Sequence, residues 1–181
     1  MCYWYYHKLI IKEYRMYKKS VIITGIIDNI RRVFKAVNDH SKMAEHQTGI
    51  TGPQLWTIKV IGDLAPVKVS DIAKRMYVHP ATVVGILDRL ESRRLVQRIR
   101  SKDDRRVVKV ILTEDGKKLV KKSPQVAQGL LVKGLEELTV ERLKEIFFAL
   151  EELVFILGAQ ELPPQLMRSP EVNLPRQKRA I

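Results

Sequence analysis

Cysteine is nearly absent from this chain of 181 residues, because Cys2 is its only one. A single thiol excludes an intrachain disulfide and is typical of proteins that work in a reducing compartment. A redox-sensing role for Cys2 is a weaker alternative, since only Lys8 and Lys12 lie near it in sequence as groups that favour a thiolate. The cysteine content therefore indicates an intracellular protein.

Long apolar runs are also missing, and none reaches the roughly 18 residues that cross a bilayer. The N-terminal stretch MCYWYYHKLIIKEYRMYKKS mixes aromatic residues with Lys, Glu and Arg. It lacks the ordered basic, apolar and small-residue zones of a secretory signal. We therefore expect a soluble cytoplasmic protein.

Catalytic and cofactor motifs are lacking as well. The sequence shows no glycine-rich phosphate loop, no nucleophile paired with a base and no marked carboxylate pair. His40, Glu45 and His46 are poor metal-ligand candidates, because a gap of six residues puts the two histidines on different faces of a helix. We predict that the chain is not an enzyme and needs no cofactor or metal.

Acidic residues are few relative to basic ones: 20 Asp and Glu face 33 Lys and Arg, for a formal net charge of +13. This excess indicates a polyanionic partner, with nucleic acid as the first candidate and an anionic membrane surface as the second. A basic surface without a partner is the alternative. The membrane alternative would use the aromatic and lysine-containing N-terminal stretch.

The helical pattern begins near Thr24, where apolar residues recur at spacings of three and four, and predicts a helix to about Met43. Thr51 is a good N-cap for a second helix that Pro66 ends. VKVSDIAKRM predicts a short third helix, and Pro80 begins a fourth. The apolar positions of these helices are Ile26, Ile27, Ile30, Val33, Phe34, Val37, Leu55, Trp56, Ile58, Ile61, Leu64, Ile72, Ala73, Met76, Val83, Ile86, Leu87 and Leu90.

After the fourth helix the apolar period changes from about 3.6 to 2, which predicts two strands, at 95–100 and 106–112, joined by a charged loop. Thr113 is expected to cap the next helix, which Pro124 bends or breaks. Thr139 caps the last helix, whose apolar stripe is broader than a small domain requires. That stripe consists of Leu143, Ile146, Phe147, Leu150, Leu153, Val154 and Leu157.

These patterns predict five regions: an N-terminal extension (1–22), a dimerisation helix (23–47), a DNA-binding domain (48–125), C-terminal dimerisation helices (126–160) and a basic, proline-containing tail (161–181). The wide apolar stripes of the terminal helices favour an intertwined homodimer over an ordinary intrachain core.

The middle third follows the order helix, short helix, turn, helix, strand, charged loop, strand. This order is that of a winged helix-turn-helix, a mainly α fold with a small β-hairpin wing (α+β). The outer face of its second helix begins with small residues, as a helix lying deep in the major groove requires. Arg89 on that helix can bond a phosphate, or it can join a structural ion pair with Asp88.

Four segments carry a resemblance to a known family: ITGPQLWTIKVIGDLAPVKVSDIAKRM, PATVVGILDRLE, DDRRVVKVILTEDG and LTVERLKEIFFALEELV. Together they resemble the MarR family of bacterial and archaeal transcription regulators, over residues 24–158. The resemblance implies a homodimer whose recognition helices enter the major groove of a pseudo-palindromic operator while the wings reach the minor groove.

The family's recognition-helix contacts fall on Pro80, Ala81, Thr82, Val84 and Gly85 of this sequence. The wing residues are Asp104, Arg105 and Arg106, with Arg106 at the wing tip and Asp104 orienting it. Two departures concern geometry. His79 stands where the family often has a capping Ser, so a weaker cap or a pH-sensitive site is expected. Arg94 replaces a common Gly, and a left-handed conformation there costs on the order of 1 kcal/mol.

The sequence thus predicts a dimeric, sequence-specific regulator of double-stranded DNA, a repressor released by a small-molecule effector whose pocket residues cannot be read from the sequence. One alternative is a winged-helix architectural protein that coats DNA with little sequence preference. Another is a protein-interaction module on the same scaffold.

Overall fold

The computed structural model describes residues 19–100, 108–164 and 166 of the chain. In these ranges the backbone forms seven helices: α1 (Lys19–Thr48), α2 (Gly52–Leu64), α3 (Val69–Met76), α4 (Pro80–Ser92), α5 (Glu114–Lys122), α6 (Ala127–Glu136) and α7 (Val140–Ile156). The predicted fold class, mainly helical with a small sheet, is confirmed.

Three strands form the sheet in the same ranges: β1 (Val67–Lys68), β2 (Val96–Arg100) and β3 (Val108–Leu112). They pair antiparallel in the order β1-β3-β2. Val67 lies opposite Val110 in one pair, and Val96 lies opposite Leu112 in the other. The sequence predicts β2 and β3 but not β1, because a strand of two residues is too short to show an alternating pattern.

Helix α2 lies at the centre of the core. Its side chains Leu55, Ile58 and Ile61 are fully buried, and Trp56 is only 5% exposed, so Trp56 is a core residue as predicted. The backbone N–H of Thr51 donates to the Gln54 side chain at 3.1 Å, which satisfies one of the free donors at the start of the helix. The predicted N-cap is therefore confirmed.

Helix α1 is longer at both ends than the prediction of 24–43. Thr24 lies inside the helix, where its hydroxyl donates to the Ser20 carbonyl at 2.9 Å. The helix ends where Gly49 takes a positive φ of 69° and its N–H donates to the Glu45 carbonyl at 2.8 Å. At the C-terminal end the prediction was wrong because the apolar spacing stops before the helix does. At the N-terminal end the helix begins five residues before Thr24.

The chain divides into two compact units, Met1–Ala36 and Val37–Ile181. In the first unit, the described residues 19–36 are helical throughout and expose most of their large apolar side chains. Val33 is 55% exposed and Phe34 is 67% exposed. The second unit contains the sheet and the buried core.

The helix caps downstream of the sheet are also confirmed. The Thr113 hydroxyl accepts from the Gly116 N–H at 3.1 Å, and the Thr139 hydroxyl accepts from the Arg142 N–H at 3.4 Å. Pro124 lies between α5 and α6 and separates them, as a residue without an N–H donor is expected to do.

The position after Thr113, Glu114 and Asp115 requires a glycine, Gly116. A Cβ at this position would lie 2.0 Å from the Leu95 carbonyl oxygen. The same carbonyl accepts from the Thr113 N–H at 3.1 Å. The first turn of α5 is therefore packed directly on the backbone that leads into β2, and only glycine fits there.

Among the helices of the described residues, none combines the length and the apolar character that a membrane span requires.

Candidate nucleic-acid interface

Helices α3 and α4 form a helix-turn-helix. Helix α3 buries Ile72, Ala73 and Met76. Tyr77 then takes a left-handed conformation with φ 53° and ψ 44°, and the Val78 N–H donates to the Ala73 carbonyl at 3.0 Å. These bonds close α3 and redirect the chain into α4.

The start of α4 is fixed by two residues. Pro80 occupies the first helical position, where its missing N–H leaves no donor unsatisfied. The His79 ring nitrogen Nδ1 accepts from the Ala81 N–H at 3.2 Å. His79 thus caps the helix with its own ring nitrogen, at the position where the family often has Ser.

The two faces of α4 differ sharply. Val83, Leu87 and Leu90 are fully buried and Ile86 is 3% exposed, as the sequence predicts. On the opposite face, most residues are small or polar and are exposed to solvent. Thr82 lies at the edge of this face and is half-buried. The exposed residues of this outer face are Pro80, Ala81, Val84, Gly85, Asp88 and Arg89.

Arg98 on β2 holds the second half of α4 against the hairpin. Its guanidinium lies 2.6 Å from an Asp88 carboxylate oxygen and 2.5 Å from a Glu91 carboxylate oxygen. The Arg98 N–H also donates to Glu91 at 3.2 Å. The sequence leaves open whether Asp88 pairs with Arg89. The structure pairs Asp88 with Arg98, and among the described residues no carboxylate forms an ion pair with Arg89.

The turn between α4 and β2 centres on Arg94, which has φ 57° and is left-handed, as its place in the family pattern anticipates. Its N–H donates to the Glu91 carbonyl at 2.8 Å, and its carbonyl accepts from the Thr113 hydroxyl at 2.6 Å. Thr113 therefore caps α5 and also holds this turn.

The wing is the β2–β3 hairpin. Arg100 pairs with Val108 as the last described pair before the loop. Val108 is 41% exposed although Val110 on the same face is fully buried, so the apolar support ends as the hairpin leaves the core. Asp104, Arg105 and Arg106 lie outside the described residues.

A polar link that the sequence analysis misses joins the helix-turn-helix to α6. The Tyr77 hydroxyl donates to a Glu136 carboxylate oxygen at 3.1 Å, and the Arg75 guanidinium lies 2.6 Å from the same oxygen. The partners are about sixty positions apart in the sequence. No periodicity or motif relates residues so distant, so only the fold reveals this link.

Two cavities flank the helix-turn-helix. One, of about 390 Å³, lies between the end of α3, helix α6 and the start of α7, and has mainly apolar walls that include Met76, Leu131 and Leu143. The Gln128 Oε1 atom, on a residue that lines this cavity, is buried without a hydrogen-bond partner among the described residues. The other, of about 1160 Å³, lies beside the start of α4.

The histidines weighed as metal-ligand candidates, His40 and His46, both lie in α1. The His40 ring nitrogen Nδ1 lies 3.4 Å from the Gln125 carbonyl. Within the described part of the chain, no cluster of three or more His, Cys, Asp or Glu side chains is arranged to hold a metal ion.

Comparison with known proteins relates this domain to one family. A sequence model of the MarR family matches residues 50–108, from the residue before Thr51 to the first residue of β3. The transcriptional repressor MdtR of Bacillus subtilis (strain 168) is 30% identical over 86 residues, a match that covers 48% of this chain and 56% of MdtR.

Solved structures extend the likeness beyond that segment. A MepR-like protein complexed with pseudoligands is 29% identical with a TM-score of 0.50, over 76% of this chain and 98% of that one. FabT of Streptococcus pneumoniae, in complex with DNA, is 25% identical with a TM-score of 0.50, over 75% of this chain and 97% of FabT. The family consists of regulators rather than enzymes, as the sequence predicts.

The matched segments, the helix-turn-helix geometry and the paired wing strands agree: residues 50–108 match the MarR family, and the chain is similar to MarR-type winged helix-turn-helix transcriptional regulators over about three quarters of its length.

Proposed function

We propose that this protein is a dimeric regulator that binds a specific pseudo-palindromic operator in double-stranded DNA. It represses transcription in the cytoplasm until a small molecule releases it. The outer face of α4 is the observation that carries this proposal, since it is small, exposed and capped in a chain of net charge +13. The repressor name of MdtR and the DNA complex of FabT support it.

The first turns of α4 suit close approach to base edges. Pro80, Ala81 and Gly85 have small side chains or none, so the helix backbone can come close to the bases. Apart from the adjacent residues and the backbone of the same helix, no heavy atom of the described residues lies within 4 Å of a Cβ built at Gly85. Val84, which is 43% exposed, offers methyl groups to a thymine methyl. Thr82 donates to a phosphate or to a base edge.

Charged contacts complete the interface. Arg89 lies on the exposed face, and no ion pair within the described ranges engages it, so its guanidinium is available to a phosphate. Arg106 at the wing tip enters the flanking minor groove, with Asp104 orienting it and Arg105 beside it on the backbone.

The dimer forms through the terminal helices, with 23–47 and 126–160 as the dimerisation regions. Helix α7 buries none of its residues, and its Phe147, Leu150 and Phe155 side chains are more than half exposed. Apolar side chains exposed in such numbers on a helix mark an interface. Two recognition helices joined in this way match the two half-sites of an operator.

The cavity of about 390 Å³ beside α6 is where the effector binds. Its volume lies in the range of small-molecule sites, and its walls are mainly apolar. Gln128 lines this cavity and the larger one, and its unpartnered Oε1 is an acceptor for a hydrogen-bond donor of the ligand. A ligand in this cavity contacts Tyr77 and Glu136, which are joined by a hydrogen bond. If the ligand binds more tightly to one arrangement of this hydrogen bond, it changes the position of the helix-turn-helix.

The test is selection of bound fragments from a random DNA library, followed by footprinting of the selected duplex. We expect a protected palindrome and weaker binding by Arg89→Ala and Arg106→Ala, each with a salt slope lower by about 1. Lys121→Ala, on the exposed surface of α5, is the matched control and keeps the wild-type affinity.

Other outcomes separate the alternatives. Uniform protection with no preference for the selected duplex at matched salt indicates an architectural DNA-binding protein. Absence of binding to any duplex overturns the proposal and favours a protein-interaction module. Sedimentation with anionic vesicles tests the membrane alternative, which fails if the chain stays in the supernatant.

A further inference from the structure

Arg98 joins the two elements that are proposed to meet DNA, helix α4 and the β2–β3 hairpin. It pairs with Val110 of β3, and the side chains of such a pair lie on the same face of the sheet. Val96, two residues earlier on this face, is 2% exposed, and Val110 is fully buried. Arg98 therefore continues the buried face of the hairpin at a position where an apolar residue is usual.

Helix α4 supplies two carboxylate acceptors for this arginine. One guanidinium nitrogen lies 2.6 Å from an Asp88 oxygen, and another lies 2.5 Å from a Glu91 oxygen. The second Glu91 oxygen accepts from the Arg98 backbone N–H at 3.2 Å. The planar guanidinium holds the two carboxylates in a fixed geometry, and the bond to the main chain fixes the strand itself. These contacts set the position of β2 relative to the last turns of α4.

The surroundings of Arg98 favour action through its partners over direct contact with DNA. Its side chain is 29% exposed, against 59% for Asp88 and 38% for Glu91. Both terminal nitrogens of its guanidinium already bond carboxylates, so a phosphate would have to displace one of them.

Asp88 connects this cluster to the face of α4 that is proposed to meet DNA. It lies three residues after Gly85 and seven after Ala81, so the three residues share one stripe of the helix. All three are exposed. The pair between Asp88 and Arg98 therefore ties this stripe directly to the hairpin.

We propose that Arg98 is a positioning residue for operator recognition, which acts through Asp88 and Glu91 to hold the hairpin at one angle to α4. The inference rests on the proposed function, because it needs the helix and the hairpin on DNA together. Two elements that already have the angle matching the operator lose less conformational freedom on binding. The link therefore raises affinity for the specific duplex more than affinity for other DNA.

Charge alone is the competing explanation, and it predicts a different result for Glu91→Gln. Glu91 repels DNA phosphates, so its neutralisation tightens binding to every duplex if only charge matters. If Arg98 positions the hairpin, the same substitution removes one of the two carboxylates that hold the guanidinium. Binding to the selected duplex then weakens relative to binding to a scrambled one.

The experiment compares four full-length proteins: wild type, R98Q, E91Q and the matched control K117Q. K117Q loses one positive charge, as R98Q does, and one ion pair, that with Glu114 on α5. Each protein is titrated at the same salt concentration on the duplex selected by wild type and on a scrambled duplex of equal length. We expect the ratio of the two affinities to fall about tenfold in R98Q and about threefold in E91Q, and to stay at the wild-type value in K117Q.

Methylation by dimethyl sulfate gives a second readout, because it modifies guanine N7 in the major groove and adenine N3 in the minor groove. The selected duplex is prepared with adenines in its flanks. We expect R98Q to keep the major-groove protection of the half-sites and to lose the protection of the flanking minor groove. A loss of folded protein would reduce both protections together.

The outcomes distinguish this inference from the function beneath it. If wild type footprints the selected duplex and R98Q and E91Q keep its affinity ratio, the positioning role is overturned and the regulator stands. Equally tighter binding of E91Q to both duplexes also overturns it, because charge then accounts for the effect. A wild-type chain that footprints no duplex refutes the proposed function instead. Melting curves identify unfolded protein, and E91Q decides the question if R98Q is unfolded at the assay temperature.

Discussion

Helices α2 and α7 are both rich in large apolar residues, yet the chain treats them in opposite ways. Helix α2 spans Gly52–Leu64 and buries nine of its residues, among them Leu55 and Ile58 with no exposed surface. Helix α7 spans Val140–Ile156 and buries none, and its Phe155 is 72% exposed. Burying one such side chain is worth about 1.5–3 kcal/mol, so the uncovered helix leaves a large stabilisation unused.

The apolar side chains of α2 are covered within the chain, whereas those of α7 are exposed to solvent. The winged domain completes its core within one chain, from α2, the sheet and the buried face of α4. The apolar residues of α7 contribute only when another surface covers them. In the proposed dimer, the winged domain keeps its stability as a monomer, while the contribution of α7 depends on protein concentration.

A matched pair of leucine substitutions gives the largest expected effect. Leu55→Ala removes a fully buried side chain from α2 and is expected to cost about 2–5 kcal/mol of unfolding free energy. Leu150→Ala removes one that is 55% exposed on α7, and is expected to change that energy little at low protein concentration while it weakens self-association. Denaturant unfolding at two protein concentrations and analytical ultracentrifugation measure both.

Similar behaviour of the two variants contradicts the proposed difference between α2 and α7. Equal losses of stability that do not depend on concentration show that α7 is covered within its own chain. A Leu150→Ala protein with the wild-type sedimentation profile removes that residue from the interface.

Gly116→Ala is expected to give the next largest loss of stability, because Gly116 lies at the junction between the sheet and α5. An added Cβ would lie 2.0 Å from the Leu95 carbonyl oxygen, so the backbone must move. Overpacking of this kind costs about 1–3 kcal/mol, which thermal or denaturant unfolding detects. Gly134→Ala is the control, since no described heavy atom lies within 4 Å of its Cβ position. Equal stability of the two variants contradicts the close approach.

Much of this fold follows from local patterns in the sequence. Thr51, Thr113 and Thr139 begin helices because their side chains or neighbours satisfy the first N–H groups, a need that depends only on nearby residues. The buried stripe of α4 follows from its spacing alone. Strand β1 and the last turn of α1 were missed because two residues or a mainly polar stretch carry no periodicity.

The candidate site divides in the same way. The outer face of α4 can be predicted, because it is the side opposite the apolar stripe. The partner of Asp88 cannot, since Arg98 reaches it only after the chain has turned into β2. The link between Tyr77 and Glu136 depends on the packing of α6, which no local signal encodes.

Gly85→Ala is expected to separate stability from DNA binding on the face of α4. A glycine inside a helix costs roughly 0.5–1 kcal/mol relative to alanine, and the Cβ at this position meets no described heavy atom within 4 Å. The variant is therefore expected to unfold at a higher temperature. Its methyl group holds the helix away from the bases, and affinity for the selected duplex falls roughly tenfold. Gly134→Ala on α6 gains stability in the same way and keeps its affinity. Unchanged DNA binding by Gly85→Ala removes this face from the interface.

The smallest expected effect concerns Glu114 in the first turn of α5. The Lys117 ammonium lies 2.7 Å from its carboxylate, and this hydrogen bond and charge, with a further contribution from Lys118, lower the pKa of Glu114 below its ordinary 4.5. A carboxyl whose pKa is lower in the folded state stabilises the fold above the unfolded value, and that contribution is lost as the pH falls through the folded value.

Glu114→Gln removes the titrating group. The wild-type protein is then expected to lose slightly more stability than the variant as the pH falls below about 6 and through the lowered pKa of Glu114, as measured by denaturant unfolding. The pair is solvent-exposed, so the difference shrinks further in high salt. Glu141→Gln supplies the matched control, because Glu141 lies in the first turn of α7 and forms no ion pair with the described residues. A pH dependence that is identical in wild type and Glu114→Gln shows that the Lys117 contact is not maintained in solution.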